Sequence, residues 1–268
     1  MAASRDASEL PDPRVGSASP SPASEAKAAP LFRRMISQLQ QDVVQGPLEH
    51  PQYGKCLVIR PTLETQRVGR FPTQAVVVTT AARHLISLSK EGEKLQSVIV
   101  EGEEHDPTRH PEFHEISENL RELCNKHFPK AKLCLVSNAP VLDRAKARHA
   151  LVYYDKPILR LEAGFKKTFA ALSGEDPNEF TERVTNMGKL ELERLVVHAS
   201  FVRGDIDNSK DNEIRAWIKH LADIKPAAIE ITTPAKAGAK SKPITKTRIT
   251  QIAELVTEKT GIPVEVLS

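Results

Sequence analysis

A stretch of acids and histidines, Val100–Glu115, combines residue types that could bind a metal ion or a charged ligand. It reads V-E-G-E-E-H-D-P-T-R-H-P-E-F-H-E. His110 and His114 are four residues apart, which would place both on one face of a helix that began at His110. Imidazoles and carboxylates are common ligands of divalent cations. One hypothesis is therefore a divalent-metal-dependent hydrolase that uses the loop at 103–115.

The same stretch also fits a simple junction between a strand and a helix. Ser97–Val100 is a short β-branched run, and Pro111 opens an apolar pattern at helical spacing. Asp106 and Thr108 would then cap the turn before the helix. In α/β folds such loops lie at the carboxyl ends of the strands, where ligands and catalytic groups collect.

Apolar periodicity predicts an alternation of strands and helices around this loop. The predicted strands are Ala75–Thr79, Ser97–Glu101, Lys132–Ser137, Ile158–Leu161, Leu195–Ser200, Ala227–Thr232 and Pro263–Leu267. The predicted helices are Ala81–Lys90, Pro111–Lys126, Val141–Tyr153, Phe165–Leu172, Pro177–Leu190, Asp211–Ile224 and Thr245–Thr260, while Cys56–Ile59 is a further candidate strand. This alternation predicts the α/β class, as a partial (β/α)6 TIM-like barrel with mainly parallel strands.

Composition divides the chain into three parts. Residues 1–30 are rich in Pro, Ser and Ala and nearly lack large apolar groups, which predicts a disordered tail. Residues 31–52 are predicted to form a leader helix, ended by Gly46 and Pro47, and a linker. Residues 53–268 are predicted to form the barrel.

Charge, hydropathy and cysteine content restrict the classes of function. The net charge is +3 and aromatic residues make up 4% of the chain, so a nucleic-acid partner is not supported. No apolar run reaches the roughly 20 residues that span a bilayer, so we expect a cytoplasmic protein without a membrane partner. The three cysteines, Cys56, Cys124 and Cys134, fit reduced thiols better than a disulfide framework.

The order of the loops carries a further signal. They read G-E-E-H-D-P-T-R-H-P-E-F-H-E-I, L-V-S-N-A-P, L-R-L-E-A-G-F-K-K-T-F, A-S-F-V-R-G-D-I-D-N-S and I-T-T-P-A-K. From about Gln96 onward this series resembles the radical S-adenosylmethionine (radical SAM) superfamily. One branch of it has G-x-G-E-P-T-L-H-P-E-F, T-N-G, D-A-G and K-G-x-N-D-S at the corresponding places.

The resemblance implies a barrel open toward bound S-adenosylmethionine and a [4Fe-4S] cluster. In the family, three cysteines spaced C-x-x-x-C-x-x-C after the first strand hold the cluster, and reductive cleavage of the cofactor yields a radical. Gly102, Glu103 and Asp106 match the loop that contacts the amino group of S-adenosylmethionine. The simpler interpretation of Asp106 is a turn cap.

Four more residues match family positions that face the cofactor or the opening of the site. Ser137 and Asn138 match T-N-G, Glu162 matches the acid of D-A-G, and Asn208 lies in the loop that matches K-G-x-N-D-S. Capping alone would also explain Asn138 and Asn208. Glu162 has independent support, because a charge on a strand buried on both faces must meet a cavity or a partner.

The sequence departs from the family at the cluster motif. The loop that should carry three cysteines has Cys56 at most, and the loop expected at Thr79–Arg83 reads T-T-A-A-R. We therefore predict a degenerate iron–sulfur motif and a retained pocket for S-adenosylmethionine or another small ligand, with catalysis left open. The alternatives are the hydrolase and a non-catalytic scaffold that binds a protein partner through its amino-terminal tail and helix.

Overall fold

A computed structural model describes residues 43–63, 71–234 and 241–267. These residues form ten strands and seven α-helices. The strands are β1 (Val44–His50), β2 (Gly54–Ile59), β3 (Ser97–Val100), β4 (Lys132–Ser137), β5 (Lys156–Arg160), β6 (Val196–Ser200), β7 (Val202–Gly204), β8 (Ala228–Thr232), β9 (Ser241–Pro243) and β10 (Val264–Val266). The helices are α1 (Gln74–Lys90), α2 (Phe113–His127), α3 (Ala145–Ala150), α4 (Lys166–Ser173), α5 (Glu179–Gly188), α6 (Asp211–Ile224) and α7 (Lys246–Thr260).

Eight strands form one mainly parallel sheet in the order β1-β2-β3-β4-β5-β6-β8-β10. Only β1 runs antiparallel, paired with β2 through a short turn. Helices connect the parallel strands, so the order along the sheet follows the order along the chain. This is the mixed α/β architecture of a partial TIM-like barrel, as the sequence predicts, and β7 and β9 form a separate antiparallel ribbon.

Two sequence predictions near the start of the sheet are wrong. Ala75–Thr79, predicted as a strand from its valines, is the first part of α1, where Val77, Ala81 and Leu85 are buried at helical spacing. Burial every three or four residues there overrides the β propensity of the V-V-V run. The first parallel strand is instead β2, which contains the candidate Cys56–Ile59.

The segment before β2 also differs from the prediction. Residues 44–50, expected to be the end of a helix and a linker, are strand β1, and Gly46 and Pro47 lie inside it. Residues 1–42, with the predicted tail and most of the leader helix, lie outside the described residues. The protein partner predicted for that region therefore stays a prediction.

The remaining elements agree with the sequence to within a few residues, except for the predicted helix Val141–Tyr153. That segment contains turns, the short helix α3 and a 3-10 turn at Leu151–Tyr153. No helix within the described ranges is long and apolar enough to cross a membrane.

The main core lies between the sheet and its helices. One alternate set of strand residues packs there, including Leu57, Val98, Leu133, Leu159 and Ile229. Trp217 of α6 is 1% exposed and donates from Nε1 to the carbonyl of Leu161 at 2.8 Å. This bond ties the end of β5 to α6.

The loop after β5 contacts α6 so closely that a glycine is required. A Cβ built on Gly164 would lie 2.3 Å from the backbone oxygen of Glu213 and 2.9 Å from Cβ of Ala216. The amide of Gly164 also donates to Glu213 Oε2 at 2.9 Å. The loop that carries Glu162 is thus held at a fixed distance from the helix.

We expect Gly164→Ala to lower the free energy of unfolding by about 1–3 kcal/mol, because the new methyl group must displace backbone atoms. Gly188→Ala is the matched control, since its nearest atom would be 3.7 Å away. The control should leave stability unchanged or slightly higher. Urea denaturation measures both, and equal effects of the two substitutions would contradict the packing argument.

Candidate ligand site at the carboxyl ends of the strands

The inner face of the sheet, opposite the helices, has its own apolar layer. Its buried members are Cys56, Val58, Ile99, Cys134, Val136, Ile158 and Val196. Leu48, Tyr53 and Ala228 pack against them. Since side chains alternate along a strand, residues two positions further along also point to this face. Those residues bring charge to the carboxyl ends of the strands.

Contacts across the inner face show that the sheet is curved. Lys156 Nζ lies 5.5 Å from the ring centroid of Tyr53, although Tyr53 precedes β2 and Lys156 belongs to β5. In a flat sheet, strands three steps apart are separated by about 14 Å. The face is therefore concave, as in a partial barrel.

A polar layer lies on this face beyond the apolar one. Arg60 pairs with Glu101 at 2.9 Å, at the ends of β2 and β3. On the other side of the sheet centre, Arg160 is opposite His198 and His198 is opposite Glu230. These groups are the charged and titratable lining of the concave face.

Asp106 joins the loops that follow β3 and β4. Its carboxylate accepts hydrogen bonds from the Thr108 amide at 2.9 Å and from the Thr108 hydroxyl at 2.5 Å. The Ser137 hydroxyl donates to it at 3.0 Å and the Asn138 amide at 2.5 Å. Four donors occupy about as many lone-pair positions as a carboxylate has. Asp106 therefore positions both loops and also caps the 3-10 turn, as the simpler interpretation held.

Gly102 and Glu103 lie in the same loop but have different surroundings. A Cβ on Gly102 would lie 1.8 Å from the backbone oxygen of His105, so the turn requires glycine there. The Thr62 hydroxyl donates to that same oxygen at 2.5 Å and links the loop to the segment after β2. Glu103 is exposed and faces solvent.

Ser137 and Asn138 turn the chain sharply after β4. The Ser137 hydroxyl accepts from the amide of Ala139 at 2.9 Å, and Ala139 has a φ of 57°. Asn138 is exposed, with its backbone amide bound to Asp106 and its side chain outside the core. The turn thus leaves the side-chain amide of Asn138 available to a ligand.

Glu162 and Asn208 meet where the loops after β5 and β6 adjoin. Asn208 is 1% exposed, accepts from the Val202 amide at 2.8 Å and donates to the carbonyls of Glu162 at 2.7 Å and Ser200 at 2.8 Å. These bonds use the whole side-chain amide, so Asn208 holds the two loops together. Burial raises the pKa of Glu162, an effect partly offset by Arg160 and a backbone hydrogen bond from Ser200.

The histidines of the opening motif do not converge. His110 is 3% exposed, its Nε2 donates to the Pro72 carbonyl at 2.7 Å, and its Nδ1 accepts from the Glu112 amide at 3.0 Å. His114 instead stacks against His149 at 5.3 Å between ring centroids. Within the described ranges, no group of three His, Cys, Asp or Glu residues is placed to hold a metal ion. The geometry does not favour the hydrolase.

The three cysteines lie inside regular elements and are all buried. Cys56 belongs to β2, and burial raises the pKa of its thiol to about 11. Burial raises the pKa values of Cys124 in α2 and Cys134 in β4 to about 12. Thr79–Arg83, expected to be a loop, is part of α1. Thiols in such surroundings are neutral packing groups.

Sequence reasoning missed His198, Glu230 and Tyr53. His198 and Glu230 stand in the apolar runs V-V-H-A-S and A-I-E-I-T. A search for charged or titratable residues within buried strands, which singled out Glu162, would also have found these two. Tyr53 carries no such signal, because it precedes its strand in a segment of unclear period. Its place under the concave face depends on the curvature of the sheet.

We expect Asp106→Asn to lower the free energy of unfolding by about 2 kcal/mol, since an amide cannot accept all four hydrogen bonds and turns a donor toward donors. Asp143→Asn is the control, because Asp143 is an exposed acid in the loop that follows. Its effect should stay within about 0.5 kcal/mol. Urea denaturation of the two variants tests the positioning role, which equal stabilities would contradict.

His198 gives a pH dependence with a definite sign. Burial and Arg160 lower its pKa from 6.5 to about 4, so between these values the unfolded chain binds a proton that the folded chain does not. Stability is therefore lost as the pH falls through this window. We expect His198→Gln to lose roughly 1–3 kcal/mol less than the unchanged protein between pH 6.5 and pH 4. Curves of stability against pH that run parallel for the two proteins would contradict this expectation. The raised pKa of Glu162 does not interfere, because it affects both proteins alike.

Comparison with known proteins yields structural likeness only. No family model matches the sequence, and no curated protein matches it. Streptococcus suis SuiB matches with a TM-score of 0.56 and 14% identity over 91% of this chain and 55% of that chain. SuiB bound to S-adenosylmethionine matches with the same TM-score and 15% identity, over 91% and 56%.

A domain of pyruvate-formate lyase-activating enzyme from Bacteroides vulgatus also matches, with a TM-score of 0.50 and 12% identity. That match covers 63% of this chain and 98% of the domain. This chain spans little more than half the length of SuiB. At these identities the likeness shows a shared fold alone, and that fold agrees with the one that the loop resemblance implies.

Proposed function

We propose that this protein is a radical SAM-fold protein that binds S-adenosylmethionine or a related small ligand without an iron–sulfur cluster. In this proposal the pocket at the carboxyl ends of the strands is retained and radical catalysis is not. The placement of the three cysteines carries the claim that no cluster is bound. The polar groups at the strand ends support the claim that a ligand is bound.

An iron–sulfur cluster needs several thiolates that converge on one small volume. Cys124 packs into the core on the helix side of the sheet, whereas Cys56 and Cys134 belong to the apolar layer of the inner face. The sheet itself separates the first from the other two. Residues 60–73, which follow the first parallel strand, contain no cysteine in the sequence. The residues present do not fit the cluster.

The ligand half of the proposal depends on two polar side chains at the ends of β4 and β5. Asn138 presents an exposed side chain beside the loop that Asp106 fixes. Glu162 presents a carboxyl group at the end of β5, in a loop held by Asn208 and Gly164. Fixed loops with a few accessible polar groups are typical of preformed small-ligand sites.

Within this pocket we assign different roles to the predicted residues. Asn138 and Glu162 would contact the ligand directly, through an amide and a carboxyl group that can meet hydroxyl or amino groups. Gly102, Asp106 and Asn208 would act by positioning the loops. S-adenosylmethionine is the first candidate because one structural neighbour, SuiB, was solved with it bound. The molecule enters only as a ligand in this proposal.

Calorimetric titration of the iron-free protein with S-adenosylmethionine tests the proposal. We expect saturable binding, weakened about five- to thirty-fold by Glu162→Gln, since loss of one hydrogen bond to a charged group is worth about 1–2 kcal/mol. Glu258→Gln on α7 is the control, because Glu258 is an exposed acid far along the chain from the pocket loops. Its affinity should equal that of the unchanged protein.

Two outcomes of this titration would contradict the proposal. The absence of heat and of any thermal shift with S-adenosylmethionine would remove the ligand from the pocket, because a ligand selective for the native state must raise its stability. Equal affinities of the Glu162→Gln and Glu258→Gln variants would place the binding site elsewhere.

A further inference from the structure

Three side chains lie next to one another on the concave face, beneath the loops of the proposed ligand pocket. Arg160, His198 and Glu230 occupy opposite positions on the adjacent strands β5, β6 and β8. Neighbouring strands are about 4.8 Å apart, so the three groups span about 10 Å. We propose that they bind a small carboxylate that also carries a hydroxyl or amino group on the adjacent carbon.

Within the part of the chain that the structure describes, two atoms of this set are buried and lack a hydrogen-bond partner. Glu230 is 3% exposed, and its Oε2 makes no hydrogen bond. Nδ1 of His198 is likewise buried without a hydrogen-bond partner. Buried polar atoms in native proteins are nearly always bonded, so each of these calls for a group that the chain does not supply. A bound hydroxyl group would satisfy both by donating to Oε2 and accepting from Nδ1–H, and a bound ammonium group would do so by donating to both.

The charge around Glu230 indicates what kind of donor fits. Lys156 Nζ pairs with Oε1 of Glu230, so the carboxylate already has a counter-charge. The same ammonium lies over the ring of Tyr53. Oε2 is therefore an acceptor in a neutralised pair, which suits a hydroxyl or amino hydrogen and gives little attraction to a metal cation.

The charge at the other end of the row is different. Arg160 is exposed, and among the described residues its guanidinium makes no hydrogen bond or salt bridge. A guanidinium presents its donors in a planar fork that matches the two oxygens of a carboxylate. Glu162, the acid that follows the end of β5 by two residues, forms no salt bridge with this cation among the described residues. A carboxylate ligand fits here.

The floor of the row is apolar. Ile158, Val196 and Ala228 precede Arg160, His198 and Glu230 by two positions, and therefore lie directly beneath them. A short carbon skeleton would rest on this floor with its carboxylate toward Arg160. Its hydroxyl or amino group would reach His198 and Glu230. A 2-hydroxy or 2-amino acid places these two groups on adjacent carbons, as the row requires.

A titration with glycolate tests the inference, with acetate as the probe that lacks the donor. We expect glycolate to shift the ring proton signals of His198, which the His198→Gln variant identifies among the nine histidines. Acetate should bind at least threefold more weakly, because it leaves Oε2 and Nδ1 unbonded. Glycine serves as the amino counterpart and should shift the same signals.

Arg160→Gln should weaken glycolate binding at least tenfold, since it removes the fork that holds the carboxylate. Because Arg160 is exposed, this variant keeps the fold, which its circular dichroism spectrum verifies. Arg83→Gln, an exposed arginine on α1, is the matched control and should bind glycolate normally.

Equal affinity of acetate and glycolate would overturn the inference. So would equal affinity of the Arg160→Gln and Arg83→Gln variants. The inference does not depend on the proposed function: binding of S-adenosylmethionine without any effect of glycolate or glycine on His198 would overturn it and leave that proposal intact. Binding of glycolate without S-adenosylmethionine would do the reverse.

Discussion

Every polar side chain on the inner face of the parallel sheet must find a partner, because that face is removed from water on a curved surface. Alternation along the strands sends the larger apolar set toward the helices and leaves a small apolar layer on the concave side. Charged residues on the concave side therefore need a counter-charge or contact with solvent. Arg60 meets Glu101 and Lys156 meets Glu230 for this reason. The unpaired atoms of His198 and Glu230 are exceptions, and we infer a ligand from them.

The loops at the ends of the strands must also be held in place. A site at the strand ends is useful only if the loops hold their positions, and here internal hydrogen bonds fix them. Asp106 accepts from four donors, two of which belong to the chain at the end of β4. Asn208 makes three bonds, one of which reaches the loop after β5. Two residues that the radical SAM resemblance implied as cofactor contacts thus have a full set of internal partners. Their roles are better described as positioning.

Much of the fold could be predicted from sequence, because burial on both faces gives the parallel strands β-branched runs such as S-V-I-V. The V-V-V run in α1 misled the prediction, since valine packs in a helix whenever burial recurs every three or four residues. Strand β1 was not predicted, because its residues V-Q-G-P-L-E-H show little alternation of apolar and polar side chains. Gly46 and Pro47 are also typical of the end of a helix. Of the site, Glu162 could be anticipated as a charge in a buried strand. The partners of Asp106 could not, because they depend on distances between loops.

Anaerobic reconstitution with iron and sulfide tests the proposal that the pocket persists without a metal cluster. Visible absorption and the iron content of the desalted protein are measured beside a variant in which Cys56, Cys124 and Cys134 are replaced by serine. We expect no stoichiometric iron and no difference between the two proteins. A four-iron chromophore that the serine variant loses would contradict it, because buried thiols on opposite faces of one sheet could not supply such a cluster.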